Sequence, residues 1–345
     1  MDKSVGIAKR EEITGKLTIK DVAESLGVSE STVSRAISGK GRIGEATRKK
    51  VFDYIEKHNY MPGINSNGLI SGRTHNIAWV MPGDCDTVEI PFFQHCMLGL
   101  LEVVETFSYH LIVTVSGWSD ISHLEHLVNN RKVDGVVLAR TNVDDLAIKF
   151  LKEKGIPFLT IGSYDDNEVI QIDHDHRSAC EELTSMLLLK GYQRVALIGG
   201  SRKLIVNLNR YQGYADALTK VGKVPNSSLI YMDVENYVAA EIAVEELLRK
   251  EVECILCMDD AICLYVLNKL HKEMIEVPRH MKVSSFYNSN LLESHIPAVS
   301  SIEFDARELG RNAGKILIDY MEGKAVETKN LLGYEIGLKE STKSN

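Results

Sequence analysis

The chain has 345 residues, 44% apolar and 26% charged, the balance of a soluble globular protein rather than a disordered one. No apolar run approaches the roughly 18 residues a membrane helix needs, Met1 to Gly6 lacks a secretory apolar core, and six cysteines in this length are no disulfide framework, so a cytoplasmic protein is expected. Residues 1–62 hold 12 Lys and Arg against 9 Asp and Glu, while the remainder carries 28 against 39, so a polyanion would meet only the N-terminal end.

Residues 1–15 show no periodicity and read as a disordered leader. Helix signals are dense from there to residue 60. Thr18 stands as N-cap of a first helix, with Asp21 near its positive end and Val22, Ala23 and Leu26 on one face. Gly27 supplies a tight turn, and Ser29 caps a second helix from Glu30 to about Ile37 whose Val33 and Ile37 face inward. Ser31, Thr32, Ser34 and Arg35 are left outward, and hydroxyls with one Arg suit phosphates and base edges in a major groove. A third helix over about 45–58 is expected to pack Val51, Phe52 and Ile55 and carries Arg48, Lys49 and Lys50. The breaker-rich run from Pro62 to Gly68 reads as a linker.

From Asn76 onward short apolar runs (77–81, 111–115, 135–139, 157–161, 195–198, 254–258 and 283–286) alternate with helix-period segments near 92–107, 121–130, 145–154, 177–190, 207–221, 237–250, 260–273 and 306–322. This rhythm predicts an α/β body of parallel sheets with helices on both faces. Some twelve strands imply two sheets and two subdomains, with a ligand cleft at the carboxyl ends of the strands. Trp118 follows one strand, where its face could carry the apolar side of a sugar ring. Cys254 and Cys257, three apart in a strand, should point to opposite faces as buried thiols rather than bind metal. His174 and His176 are expected in a strand-end loop beside the cleft. Gly199-Gly200-Ser201 is neither phosphate-loop pattern, and no nucleophile set assembles, so neither an enzyme nor a cofactor or metal is implied.

Residues 17–60 closely resemble the DNA-binding headpiece of the lactose-repressor (LacI) family through T-I-K-D-V-A…G-V-S-x-S-T-V-S-R, here Thr18 to Arg35. The resemblance continues through Tyr60-x-Pro62, Ser71 to Thr74, Val133-Asp134-Gly135, Arg210-x-x-Gly213-Tyr214 and Glu308 to Arg311, covering about 17–342. It implies a helix-turn-helix headpiece over 16–60, a hinge over 61–74, and a periplasmic-binding-protein-like effector and dimerisation domain of two subdomains over 75–345. It implies a homodimeric repressor on double-stranded operator DNA, released by a small-molecule sugar effector, with no membrane partner. The family's operator contacts fall on Thr18, Ser29, Glu30, Ser31, Thr32, Ser34, Arg35, Ser38, Arg42 and Tyr60, and its minor-groove wedge on Leu69. Gly63 and Gly68 depart from the usual hinge and weaken its helix by about 1 kcal/mol each. The resemblance carries the effector role to Asp173, Arg210, Asp259 and Tyr287, beside Trp118. Tyr287 replaces the family's Asp and favours a larger sugar with a stackable face. The run Ile198 to Tyr214 looks like that of Gram-positive maltose-operon repressors, which makes an α-glucan disaccharide or oligosaccharide the expected effector. The alternatives are a catabolite-control regulator answering to a phosphorylated carrier protein, and a stand-alone sugar-binding protein.

Overall fold

The computed structural model describes residues 19–38, 41, 43–57, 73–84 and 90–343. It divides into two compact units, Met1–Thr74 and His75–Asn345. The expected leader, Thr18, Arg42, Tyr60 and Leu69 lie outside the described residues, as does the side chain of Ser38.

The first unit contains α1 (Ile19–Leu26), α2 (Glu30–Ser38) and α3 (Glu45–Lys57). Val22, Ala23, Val33, Ala36 and Val51 form its fully buried core, with Leu26, Ile37, Tyr54 and Ile55 packed around them. Each of these pairs recurs at helical spacing, so three short helices that would be marginal alone close one apolar centre. Gly27 takes a left-handed φ of 65°, which lets the Val28 amide return to the Ala23 carbonyl at 3.0 Å and turns the chain into α2. One sequence expectation is corrected. Phe52 is 44% exposed, and the Arg48 guanidinium lies over its ring at 6.0 Å; the half-buried Tyr54 packs against the core instead.

The second unit holds two six-stranded sheets among the described residues. The first has strand order β11 (Lys329–Leu332), β5 (Gln171–His174), β4 (Phe158–Ile161), β3 (Gly135–Leu138), β1 (Asn76–Pro82), β2 (His110–Ser116), all parallel. The second runs β12 (Glu335–Gly337), β10 (Ser300–Glu303), β9 (Lys282–Ser285), β8 (Cys254–Cys257), β6 (Val195–Ile198), β7 (Ile230–Tyr231), with only β12 antiparallel. Every residue of β3, β4, β6 and β8 is buried, as parallel strands covered on both faces must be. Cys254 and Cys257 confirm the alternation: they belong to the cores on opposite faces of the second sheet.

The sheets exchange chain three times. After β5, helix His176–Leu189 joins the second lobe; after β10, helix Ala306–Met321 returns to the first; β11 then runs directly into β12. In the first lobe, helix Ala306–Met321 lies against helix Ile90–Val104 so closely that a Cβ on Gly310 would meet the Cys96 carbonyl oxygen at 1.9 Å. Only glycine permits that approach.

Candidate functional site: a headpiece surface and an interlobe cleft

In the first unit, Ser29 caps α2 as its sequence position implies: its Oγ accepts from the Thr32 amide at 3.2 Å and lies 2.8 Å from the Oγ of Ser31 and the Oγ1 of Thr32. Ser29, Glu30, Ser31 and Arg35 are exposed, while Thr32 and Ser34 are half-buried at the sides of the helix. Val33 and Ala36, both fully buried, anchor the opposite face. The result is a rigid nine-residue rod that presents hydroxyls, one carboxylate and one guanidinium to solvent. That inventory can donate to phosphate oxygens and to guanine, and accept from cytosine N4.

In the second unit a cleft opens where the lobes meet, beside the carboxyl ends of β3, β4, β5 and β8. Its inner recess spans about 820 Å³, counting space open to solvent, within the usual range for a small-molecule site. Asp173, Arg210, Asp259 and Tyr287 all line it, although the sequence separates them by up to 114 positions. Phe92 and Tyr287 meet edge-on at 6.0 Å, forming an aromatic wall. Arg210 is 7% exposed; its Nη1 donates to the Met258 carbonyl at 2.7 Å, its Cζ lies 6.0 Å over the Tyr287 ring, and its buried Nε has no hydrogen-bond partner. Asp259 caps helix Asp260–Lys272 by accepting from the Ile262 amide at 2.8 Å.

Asp173 lines the recess, yet its oxygens are committed to the protein. Oδ2 accepts from the amide and hydroxyl of Ser163, both at 2.8 Å, and Oδ1 accepts from the His174 amide at 2.9 Å and faces His176 Nε2 at 3.3 Å. Burial opposes ionisation, but His176 and the Ser163 donors outweigh it and hold the carboxyl below its usual range. Burial also pushes the His176 and His174 imidazoles down and the Asp260 carboxyl and Tyr287 phenol up. Asp173 thus lines the recess with both carboxylate oxygens already accepting from the protein.

Trp118 lies outside the inner recess. It lines an adjoining outer chamber of about 950 Å³, again counting open space, and is not a bare platform: Arg140 Cζ and Lys203 Nζ lie 5.3 and 5.4 Å from its ring. The two walls of the cleft touch at its rim, where the Val143 amide donates to the Lys203 carbonyl at 2.8 Å. His174 ends β5 and His176 begins the following helix, so neither is in a loop. His174 Nδ1 lies 2.9 Å from the Gly333 carbonyl and its ring 4.9 Å from Phe304, which ties the three interlobe crossings together. His176, expected beside the cleft, lines the recess, and so do Arg140, Asn207 and Asp260, which were missed in the sequence. Asp260, directly after the expected Asp259, was the one with a local signal. Among the described residues no group of three or more His, Cys, Asp or Glu could hold a metal ion, and no helix is long and apolar enough to cross a membrane.

Comparison with known proteins agrees with both units. The model of bacterial regulatory proteins of the lacI family matches residues 18–63, and that of periplasmic binding protein-like domains matches 184–342. The chain is 28% identical over 331 residues to the HTH-type transcriptional regulator MalR of Streptococcus pneumoniae serotype 4, covering 93% of this chain and 98% of that one. Among solved structures it is similar to the transcriptional regulator CelR–cellobiose complex, with 26% identity, a TM-score of 0.71, and coverage of 94% and 99%. It shares its fold with the lac repressor dimer bound to operator and the anti-inducer ONPF, at a TM-score of 0.80, 19% identity, and coverage of 96% and 100%.

Proposed function

The chain belongs to the LacI family of transcriptional regulators, and from that membership we propose that it represses carbohydrate-utilisation genes and leaves its operator when a sugar enters the cleft. One observation carries this reading: Arg210, Asp259 and Tyr287 converge on one recess, with Trp118 in the chamber beside it. A fork of donors, carboxylate acceptors and aromatic faces is the chemistry that binds a hydroxyl-rich ring. The charges favour a neutral ligand, because Arg140 is ion-paired with Asp84 and Arg210 faces Asp260. The effector we favour is an α-glucan disaccharide or oligosaccharide, supported by the likeness to MalR; the likeness to a regulator complexed with cellobiose, a β-linked disaccharide, supports the two-ring size but not the α linkage.

In this reading residues 16–60 bind operator DNA, 61–74 act as hinge, and 75–345 bind effector and pair two copies into a homodimer. Ser29 at the N-cap and Glu30, Ser31, Thr32, Ser34, Arg35 and Ser38 on α2 face the duplex, with Thr18, Arg42, Tyr60 and Leu69 completing the contact. Effector and operator then oppose each other by one coupling free energy, so operator weakens sugar binding by the factor by which sugar weakens operator binding.

The test is an operator shift assay on promoter fragments recovered from genomic DNA that co-purifies with the protein. Retardation should fall steeply with salt and should be reversed by maltose or a related neutral sugar. Retardation unaffected by every sugar tried rejects the effector reading, and no retardation of any recovered fragment rejects the repressor.

A further inference from the structure

We infer that the cleft is two carbohydrate subsites in series, divided by Arg140, and that it selects its effector by the number of sugar rings. The inference rests on the reading that the effector is a sugar. The inner recess and the outer chamber are neighbours that share Arg140, Leu204, Asn207 and Asp259 as lining. Each has its own aromatic surface, Phe92 and Tyr287 in the first and Trp118 and Tyr265 in the second. Each also has its own acids, with Asp260 confined to the inner recess and Asp84 and Glu235 to the outer chamber.

Arg140 is built for a junction. It stands two residues beyond the end of β3, with its side chain 12% exposed and fixed on two sides: the guanidinium is ion-paired with Asp84 and lies over the Trp118 ring. Its Nε is buried without a hydrogen-bond partner in the protein. A held guanidinium with a spare donor between two aromatic chambers suits an oxygen that links or flanks two rings. A single ring in the inner recess leaves Trp118 in water, whereas a second ring reaches it.

Trp118 also supplies the readout. The chain has two tryptophans, and the other, Trp79, is fully buried within β1 and lines neither chamber. Calorimetry and tryptophan emission are followed on the full-length protein with glucose, maltose and cellobiose. A two-ring sugar should bind at least tenfold more tightly than glucose and should shift the emission, while glucose leaves it unshifted. Trp118→Ala should collapse the two-ring to one-ring affinity ratio toward one, and Trp118→Phe should restore part of it. Far-ultraviolet circular dichroism and operator retardation establish that each variant is folded.

A ratio near one in the wild type, or an equal loss for both sugar classes in Trp118→Ala, overturns the two-subsite inference and leaves the carbohydrate reading intact. Failure of all three sugars, and of longer maltodextrins, to bind rejects the carbohydrate reading itself, and this inference with it.

Discussion

Nε2 of His176 lies 3.3 Å from Oδ1 of Asp173, with both side chains more than nine-tenths buried. Because the carboxylate is held ionised, the ring must carry its proton on Nε2, which leaves Nδ1 as a buried acceptor without a partner. Desolvation and the positive end of helix His176–Leu189 both disfavour a second proton. A neutral imidazole thus braces the acid that shapes the cleft wall, at the point where the chain passes from one lobe to the other.

That pairing predicts the pH dependence of stability. His174 and His176 have folded-state pKa values below their ordinary 6.5, so the unfolded chain takes up protons first as the pH falls. Their contribution is fully present above pH 6.5 and declines as pH drops toward the folded-state values. Asp173 acts in a lower window: its contribution is present above its ordinary 3.8 and is lost as pH falls through its depressed value. Urea midpoints of the residue 75–345 unit should decrease from pH 7 to pH 5, and a His174→Asn, His176→Gln variant should flatten that slope. An unchanged slope would mean the two rings are hydrated or charged in the fold.

Gly310→Ala tests the contact between helices Ile90–Val104 and Ala306–Met321. The added methyl would overlap the Cys96 carbonyl, so the helices must separate at a cost of about 1–3 kcal/mol or more. Calorimetric melting should show the loss in the unit that contains both helices. Gly323→Ala is the control: no atom lies within 4 Å of its Cβ position, and only its φ of 78° opposes the change.

On α2, Glu30→Ala should reorder the preference among operator variants more than it changes overall affinity, since a carboxylate repels phosphate but can accept from cytosine. Arg35→Ala should cost about 1–3 kcal/mol and relax preference at one base pair. Both side chains are exposed while Val33 and Ala36 hold the helix, so neither change should unfold the headpiece. Quantitative binding to a panel of single-base operator variants separates the outcomes; a uniform loss from Glu30→Ala would deny it a reading role.

Arg210→Lys should weaken effector binding by roughly tenfold to a hundredfold, equivalent to about 1.4–2.8 kcal/mol, within the range for hydrogen bonds to charged groups. Lys keeps the charge, but it has no planar fork to hold the Met258 carbonyl and a ligand together. Operator affinity without sugar should be unchanged, so the complex should persist at sugar concentrations that release the wild type.

The sequence by itself determined the local structure and much of the cleft. Most helices and the apolar strands follow from side-chain periods that each segment carries within itself, and the cap Ser29, the turn Gly27 and the core positions Val22, Val33 and Val51 were legible for that reason. The likeness to a known family supplied Arg210, Asp259 and Tyr287, which no period marks. The tertiary structure decided what depends on neighbours. β10 escaped notice because its buried Ser300 and Ser301 are not apolar; Ser300 hydroxyl contacts with Thr342 and the main chain at Lys339 satisfy it from a segment about forty residues away. Phe52 has the helical spacing of a core residue, yet it stays exposed while the half-buried Tyr54 packs against the core. Arg140 and Asn207 enter the cleft only because three crossings bring the ends of separate strands to one place. Spacing along a chain constrains the face a side chain takes on its own element, but which face meets which is settled by the burial available when all the elements pack together.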